Sequence, residues 1–223
     1  RNSYFINIGK FGKILELIKS KKCNKVLFAG NIIKPRISKL KLDLKGFYYI
    51  PRIIKASKLG DAAILKELIK ILSENKIKVI KLNAYNPELT LKKGCYTKLK
   101  PSTNDKFIIK KGIQILSKSN AFNHVQALVI NNEKVISFEK RKGTKHMLKS
   151  LKNNKLKNNI LLKMPKVKQD LRVDLPTIGM DTLKDSKKAN IKGIVVKAGQ
   201  NIFLDKQKAI KFAIKNNMFV VAK

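Results

Sequence analysis

The sequence predicts an α/β protein of two domains: an N-terminal Rossmann-like parallel sheet, cut short at its start, and a C-terminal mixed α/β domain. Three observations predict it. Short apolar runs of strand type alternate with amphipathic helical stripes, the pattern of a parallel sheet covered by helices. In the second half, two strands flank Asn131-Asn132-Glu133, a hairpin by its turn chemistry, which makes that half mixed. Between the halves lies a polar stretch with Pro87, Gly94 and Pro101, a natural linker. The expected bounds are 1–84 for the first domain, 85–101 for the linker and 102–223 for the second domain.

Taken in order, Tyr4–Ile8 is a short apolar run that ends in Gly9-Lys10-Phe11-Gly12-Lys13. Ile14, Leu15, Leu17 and Ile18 then give one face of a helix, and 25–29 is a buried-type strand closed by Gly30. Residues 31–51 read as irregular, because Pro35, Gly46 and Pro51 interrupt them. Gly60-Asp61 opens a helix with Asp61 as its N-cap and Ile64, Leu65, Leu68, Ile69 and Leu72 as its stripe. A strand at 78–82 follows. After the linker come a helix at 105–116 and the hairpin strands 125–130 and 134–138, with Glu139 at the second strand's end. Gly143-Thr144 leads into a helix at 145–151, with Thr144 as its cap. Strands at 160–162, 193–196, 202–204 and 219–221 complete the second domain, with helices at 180–189 and 206–215, the latter capped by Asp205.

The 223 residues suit one large or two small domains, and 43% apolar content supplies a core despite the charge. Fifty-one basic against 14 acidic residues give a net charge of +37. Such an excess suits nucleic acid, an anionic membrane or polyanionic substrate, or no more than drift toward lysine. Arginine, the preferred reader of bases and phosphates, is scarce, and there is no Trp to stack on bases, so nucleic acid is not an expected partner. Cys23 and Cys95 have no metal-ligand spacing. His124 and His146 read as structural or solvated. No apolar run approaches a membrane span, and no signal peptide is visible. Arg1 falls within what reads as an ordered segment, so further chain is expected before it.

The stretch from Lys163 to Gly179 lies between a strand and a helix and is unusually long and polar for such a turn. Asp170 and Asp174 supply oxygen ligands or a base. Arg172, Lys163 and Lys166 supply positive charge, while Gln169 and Thr177 add neutral hydrogen-bonding groups. Pro165, Pro176 and Gly179 shape the backbone. Together with Asp61, Glu139 and Asp181 these carboxylates suit Mg²⁺ and a phosphate-containing substrate. The alternative is structural, with Asp174 a turn residue and Arg172 its surface partner. The glycines Gly9, Gly12 and Gly30 suit backbone contact with phosphate, or ordinary turns.

The same stretch, Lys163-Met164-Pro165-Lys166 through Gln169-Asp170-Leu171-Arg172-Val173-Asp174-Leu175-Pro176-Thr177-Ile178-Gly179, resembles the signature of the UDP-2,3-diacylglucosamine pyrophosphatase family of the LpxI type. The likeness continues through Gly193-Ile194-Val195-Val196-Lys197-Ala198-Gly199. Further matches run in order along the chain: Gly9 to Lys13, Ala29 to Pro35, Gly60 to Leu65, and Glu139 with Gly143-Thr144. The resemblance implies a cytoplasmic, Mg²⁺-dependent hydrolase, peripheral on the inner membrane's anionic inner face and tending to homodimerise. It implies cleavage of UDP-2,3-diacylglucosamine to UMP and 2,3-diacylglucosamine 1-phosphate. By the same resemblance Asp174, Asp170 and Arg172 are catalytic, and Asp174, Asp170 and Glu139 are metal ligands. Lys163, Lys166, Gln169, Thr177, Gly143, Thr144, Gly9, Gly12, Gly30, Gly60 and Asp61 are then substrate-binding. The chain departs from the pattern where Ala62, Lys142, Lys145 and Ile108 replace acids and where Asn123-His124-Val125-Gln126 replaces Asp-Val-Gly-Gln. Those losses make a non-catalytic binder of the same ligand one alternative reading, and the net charge keeps a basic nucleic-acid-binding protein as another.

Overall fold

Two units divide the chain, one of Arg1–Tyr85 with Arg172–Asp174, the other of Asn86–Leu171 with Leu175–Lys223. The structure, a computed structural model, describes residues 3–30, 35–119, 125–152, 155–167 and 169–223. Residues 31–34, Asn123, His124 and Lys168 therefore lie outside the described residues, with the readings that fell on them.

The first unit runs α1 (Phe11–Ser20), β1 (Lys25–Leu27), α2 (Leu44–Lys58), α3 (Asp61–Glu74), β2 (Lys78–Ile80) and the short α4 (Leu82–Tyr85). β1 and β2 pair in parallel, as strand–helix alternation requires. Leu15, Ile69, Leu72, Ile77 and Val79 form the core, with Val173 packed against it.

Helix α2 occupies residues expected to be irregular. Asp43 is the reason. Its carboxylate accepts the Gly46 N–H at 2.8 Å and the Gly12 and Lys13 N–H groups at 3.1 and 3.0 Å. One side chain thus satisfies orphan donors at the start of both α2 and α1. Pro51 removes one bond inside α2, a cost of about 3 kcal/mol in an unsupported helix. Next to it, Arg52 ties α2 to α3, reaching Glu67 at 2.6 Å and both oxygens of Glu74 at 2.7 and 2.8 Å.

The second unit contributes β3 (Gly94–Cys95), α5 (Thr103–Ser119), β4 (Ala127–Asn131), β5 (Lys134–Phe138), α6 (Gly143–Ser150) and β6 (Asn159–Lys163). Then follow β7 (Thr177–Ile178), α7 (Met180–Lys188), β8 (Ile191–Val196), β9 (Ile202–Phe203), α8 (Lys206–Lys215) and β10 (Phe219–Ala222). Six strands form one sheet in the order β3-β10-β8-β6-β4-β5. β6, β8 and β10 are parallel, and β4 is antiparallel to both β5 and β6, which is the mixed sheet the hairpin implied. β7 and β9 pair separately, so 202–204 does not join the main sheet.

Alternation along β6 sends its side chains to two cores. Leu161 joins Met147, Leu148, Leu183, Ala209 and Ala213, the face covered by α6, α7 and α8. Ile160 and Leu162 join Ile108, Ile109 and Leu116 on the α5 face. The stretch expected as linker is built into this unit in its later part: Leu91 is buried in the first of these cores and β3 pairs with β10.

Helix α5 starts earlier than expected, because Ser102 and Asp105 cap it reciprocally. The Ser102 hydroxyl accepts the Asp105 N–H at 3.1 Å, and Asp105 accepts the Ser102 N–H at 2.9 Å. Lys192 also donates to Asp105 at 2.9 Å. Burial opposes ionisation of Asp105, but the Lys192 ammonium and the two Ser102 donors outweigh it and hold its pKa below the ordinary aspartate value. The unfolded chain therefore binds more protons as the pH falls. Asp105 contributes stability that is complete above about pH 4, the unfolded value, and is lost as the pH drops through the folded value. The urea midpoint should decline across that acid range, and Asp105→Asn should flatten the part of the decline this group causes.

Candidate active site

β6, β8 and β10 end at Lys163, Val196 and Ala222, and ligands of open α/β sheets sit beyond such carboxyl ends. β6 and β8 open there into the loops that follow Lys163 and Val196. Asn201 ties the two together: its side-chain amide donates to the Lys163 carbonyl at 3.1 Å and its oxygen accepts the Lys197 N–H at 2.9 Å. Asn201 is buried, and its role is not legible in the sequence because its bond to Lys163 reaches 38 residues back along the chain.

Lys163 belongs to the α6 face of the sheet. Its ammonium donates to the Thr144 hydroxyl at 2.8 Å, and that hydroxyl donates to Glu139 Oε1 at 2.6 Å. The other oxygen of Glu139 accepts the Gln126 N–H at 3.3 Å. Lys163 and Thr144 are each 7% exposed and Glu139 4%. Gly143, with φ +80°, supplies the left-handed turn that brings the chain from Glu139 into α6 and points Thr144 back at it. Thr144 is therefore not the helix cap expected: Lys142 holds that position without a side-chain bond. Burial pushes the Lys163 pKa down from the ordinary lysine value, and Glu139 partly opposes that shift.

Glu139 was expected as a metal ligand, and its setting argues otherwise. Both oxygens are engaged inside the protein, one of them by a hydroxyl that also serves a lysine. Among the described residues no group of three or more His, Cys, Asp or Glu side chains gathers as a metal cage. Mg²⁺ commonly needs only one or two carboxylates when substrate phosphates and water complete its shell. The side chains present fit that mode and not an all-protein cage.

The loop after β6 begins with a turn in which the Gln169 N–H donates to the Lys166 carbonyl at 3.1 Å. The Gln169 side-chain oxygen accepts the Lys166 N–H at 2.8 Å, and its amide nitrogen is buried without a partner among the described residues. A cavity of about 260 Å³ lies beside this turn, lined by Met164, Val167 and Leu171 of the loop and Ile113 and Leu116 of α5. Thr177 donates to the Leu175 carbonyl at 3.2 Å. Asp170 is half-buried, and Arg172 is exposed; both have partners.

Asp174 is half-buried, and its carboxylate has no hydrogen bond or ion pair to any described residue. Val173 beside it is anchored among the apolar side chains of the first unit.

The glycines are placed otherwise than a phosphate loop requires. The Gly12 N–H is taken by Asp43, and the Gly9 N–H donates to Asn7 Oδ1 at 3.0 Å. A Cβ on Gly9 would stand 2.6 Å from the Lys41 carbonyl oxygen, so packing alone demands glycine there. Gly30 and Gly60 are positive-φ turn residues. Gly60, rather than Asp61, occupies the cap position of α3, and Asp61 lies in the first turn. Of the replaced acids, Ala62, Lys142 and Lys145 are exposed, whereas Ile108 is buried in the α5-side core.

These features define a two-unit α/β protein with a basic, carboxylate-bearing loop region beyond the strand ends of its larger sheet. Residues 1–89 match the LpxI N-terminal domain and residues 92–221 the LpxI C-terminal domain. The chain belongs to the LpxI family. A relative, UDP-2,3-diacylglucosamine pyrophosphatase LpxI of Caulobacter vibrioides, is 29% identical over 224 residues, which cover 97% of this chain and 80% of the relative. No helix among the described residues is long and apolar enough to cross a membrane.

Proposed function

We propose that this protein hydrolyses the diphosphate of UDP-2,3-diacylglucosamine, releasing UMP and 2,3-diacylglucosamine 1-phosphate in lipid A biosynthesis. The observation that carries the reading is the Asp174 carboxylate, without a partner among the described residues, within an intact family signature, in a chain whose relative bears the name of that activity. In the reaction, water adds to one phosphorus and the bridging P–O bond breaks. Asp174 would orient that water or help hold Mg²⁺, with Asp170 and Arg172 in support. Mg²⁺, when bound, would supply Lewis-acid polarisation of phosphoryl oxygens. Lys163 and Lys166 offset negative charge that grows on the phosphate oxygens.

A lipid substrate and a net charge of +37 both suit a peripheral position on the anionic, cytoplasmic face of the inner membrane. A homodimer follows from the family resemblance alone. The deciding experiment measures UMP released from UDP-2,3-diacylglucosamine by chromatography. Release with Mg²⁺, loss on chelation with EDTA and return on adding Mg²⁺ is the expected result. No release under any divalent metal overturns the reading.

A further inference from the structure

We infer that Glu139 and Thr144 are positioning residues that act through Lys163, making the Lys163 ammonium the buried donor presented to the anionic substrate. The inference rests on the proposed function for the identity of that substrate. Its basis is the direction of two hydrogen bonds. A threonine hydroxyl has one proton, and Thr144 spends it on Glu139 Oε1 at 2.6 Å. Thr144 therefore has no proton left for a phosphate oxygen, and its remaining capacity is as an acceptor. Lys163 uses that acceptor capacity, donating to the hydroxyl at 2.8 Å. Lys163 and Thr144, both expected to bind substrate, instead bond each other.

Lys163 differs from both. An ammonium has three protons, and one is used on Thr144. The other two have no acceptor among the described residues, although the side chain is 93% removed from solvent by its 7% exposure. A buried ammonium with two unfilled donors is costly unless an anion meets it. Charge around it is arranged accordingly. Glu139 is the carboxylate that acts on Lys163 across the interior. Lys140, Arg141, Lys142 and Lys145 on the turn and first turn of α6 are exposed, as is Lys197 after β8. β4 and β8 present uncharged Ala127 and Val196 beside Lys163. The chain Glu139–Thr144–Lys163 thus fixes one cation by a hydroxyl whose orientation a carboxylate sets, and it needs no metal at Glu139.

Two measurements on the full chain test this. The first is kinetic, with UMP release as readout. Thr144→Ser keeps the hydroxyl and should stay within about threefold of wild type, whereas Thr144→Val and Lys163→Met should each lose roughly 100-fold in kcat, the scale of one lost oxyanion donor. Thr144→Val with wild-type kcat overturns the inference. The second does not depend on activity. In protein carrying ¹³C-lysine, the Lys163 resonance is assigned by its loss in Lys163→Arg and titrated by NMR. Glu139→Gln should move its midpoint to lower pH, because the carboxylate that favours the charged form is gone. An unmoved midpoint in a folded Glu139→Gln protein overturns the inference. Absence of UMP release by wild type, with the midpoint shift intact, rejects the proposed reaction and leaves the Lys163 arrangement standing.

Discussion

Asp174→Ala should release UMP at least about 1,000-fold more slowly than wild type while folding normally. Removing a carboxylate that orients water or holds a metal takes away interactions made chiefly in the transition state, and losses of about 10²–10³ follow even from single neutral donors. The side chain is half-buried, and its truncation breaks no hydrogen bond or ion pair to a described residue. Stability and activity are therefore separable at this position. Unchanged urea and thermal midpoints with lost turnover would support the catalytic role. Retained turnover would remove Asp174 from the chemistry and return it to the status of a turn residue.

The second large effect is structural. Gly193 lies in β8 opposite Phe219 of the parallel neighbour β10, and a Cβ there would fall 2.0 Å from the Phe219 ring. Phe219 is fully buried, so its ring has no space to yield into. Overpacking of this kind costs about 1–3 kcal/mol and more when the neighbour is held. Gly193→Ala should sit at or above the top of that range, read as a lower urea midpoint. Because β6 flanks Gly193 on the other side at Ile160, the strain would also reach the strand that ends in Lys163. A near-wild-type midpoint would show that the sheet can spread at little cost.

The parts of the molecule that could be read in the sequence share a property: their signals are local. Turn chemistry at Asn131-Asn132-Glu133 gave the hairpin β4–β5, apolar stripes gave α1 and α3, and the run from Lys163 to Gly179 carried a dense string of polar types in fixed order. What was not legible depends on partners far away in the chain. Asp43 looked like one more loop residue, since two of its three donors sit about 30 residues earlier at Gly12 and Lys13. β3 looked like linker, because Gly94 and Cys95 pair with residues at the other end of the chain. Glu139 looked like a free acid at a strand end. Only the order β5-β4-β6, which puts Lys163 two strands away, together with the turn at Gly143, shows that Thr144 and a lysine close over it. The glycine-bearing segment at 9–13 suits phosphate or ordinary turns by its pattern, and the Gly9 and Gly12 donors are answered from within.

The two-residue strand β3 has a consequence for life in a crowded solution. β10 is a fully buried run of Phe219, Val220, Val221 and Ala222, and laid bare along one side it would be a template for any passing strand. Gly94 and Cys95 occupy part of that side, and the Tyr96 N–H takes the Val220 carbonyl at 2.9 Å. Lys92, Lys93 and Lys98 flank the short strand and repel another copy bearing the same charges. At the sheet's opposite margin, β5 opens with exposed Lys134, and the pairing of β4 with β5 shifts register between Val129 and Ile130. Both flanks of the sheet are thereby made poor partners for self-stacking, with exposed lysines at each of them.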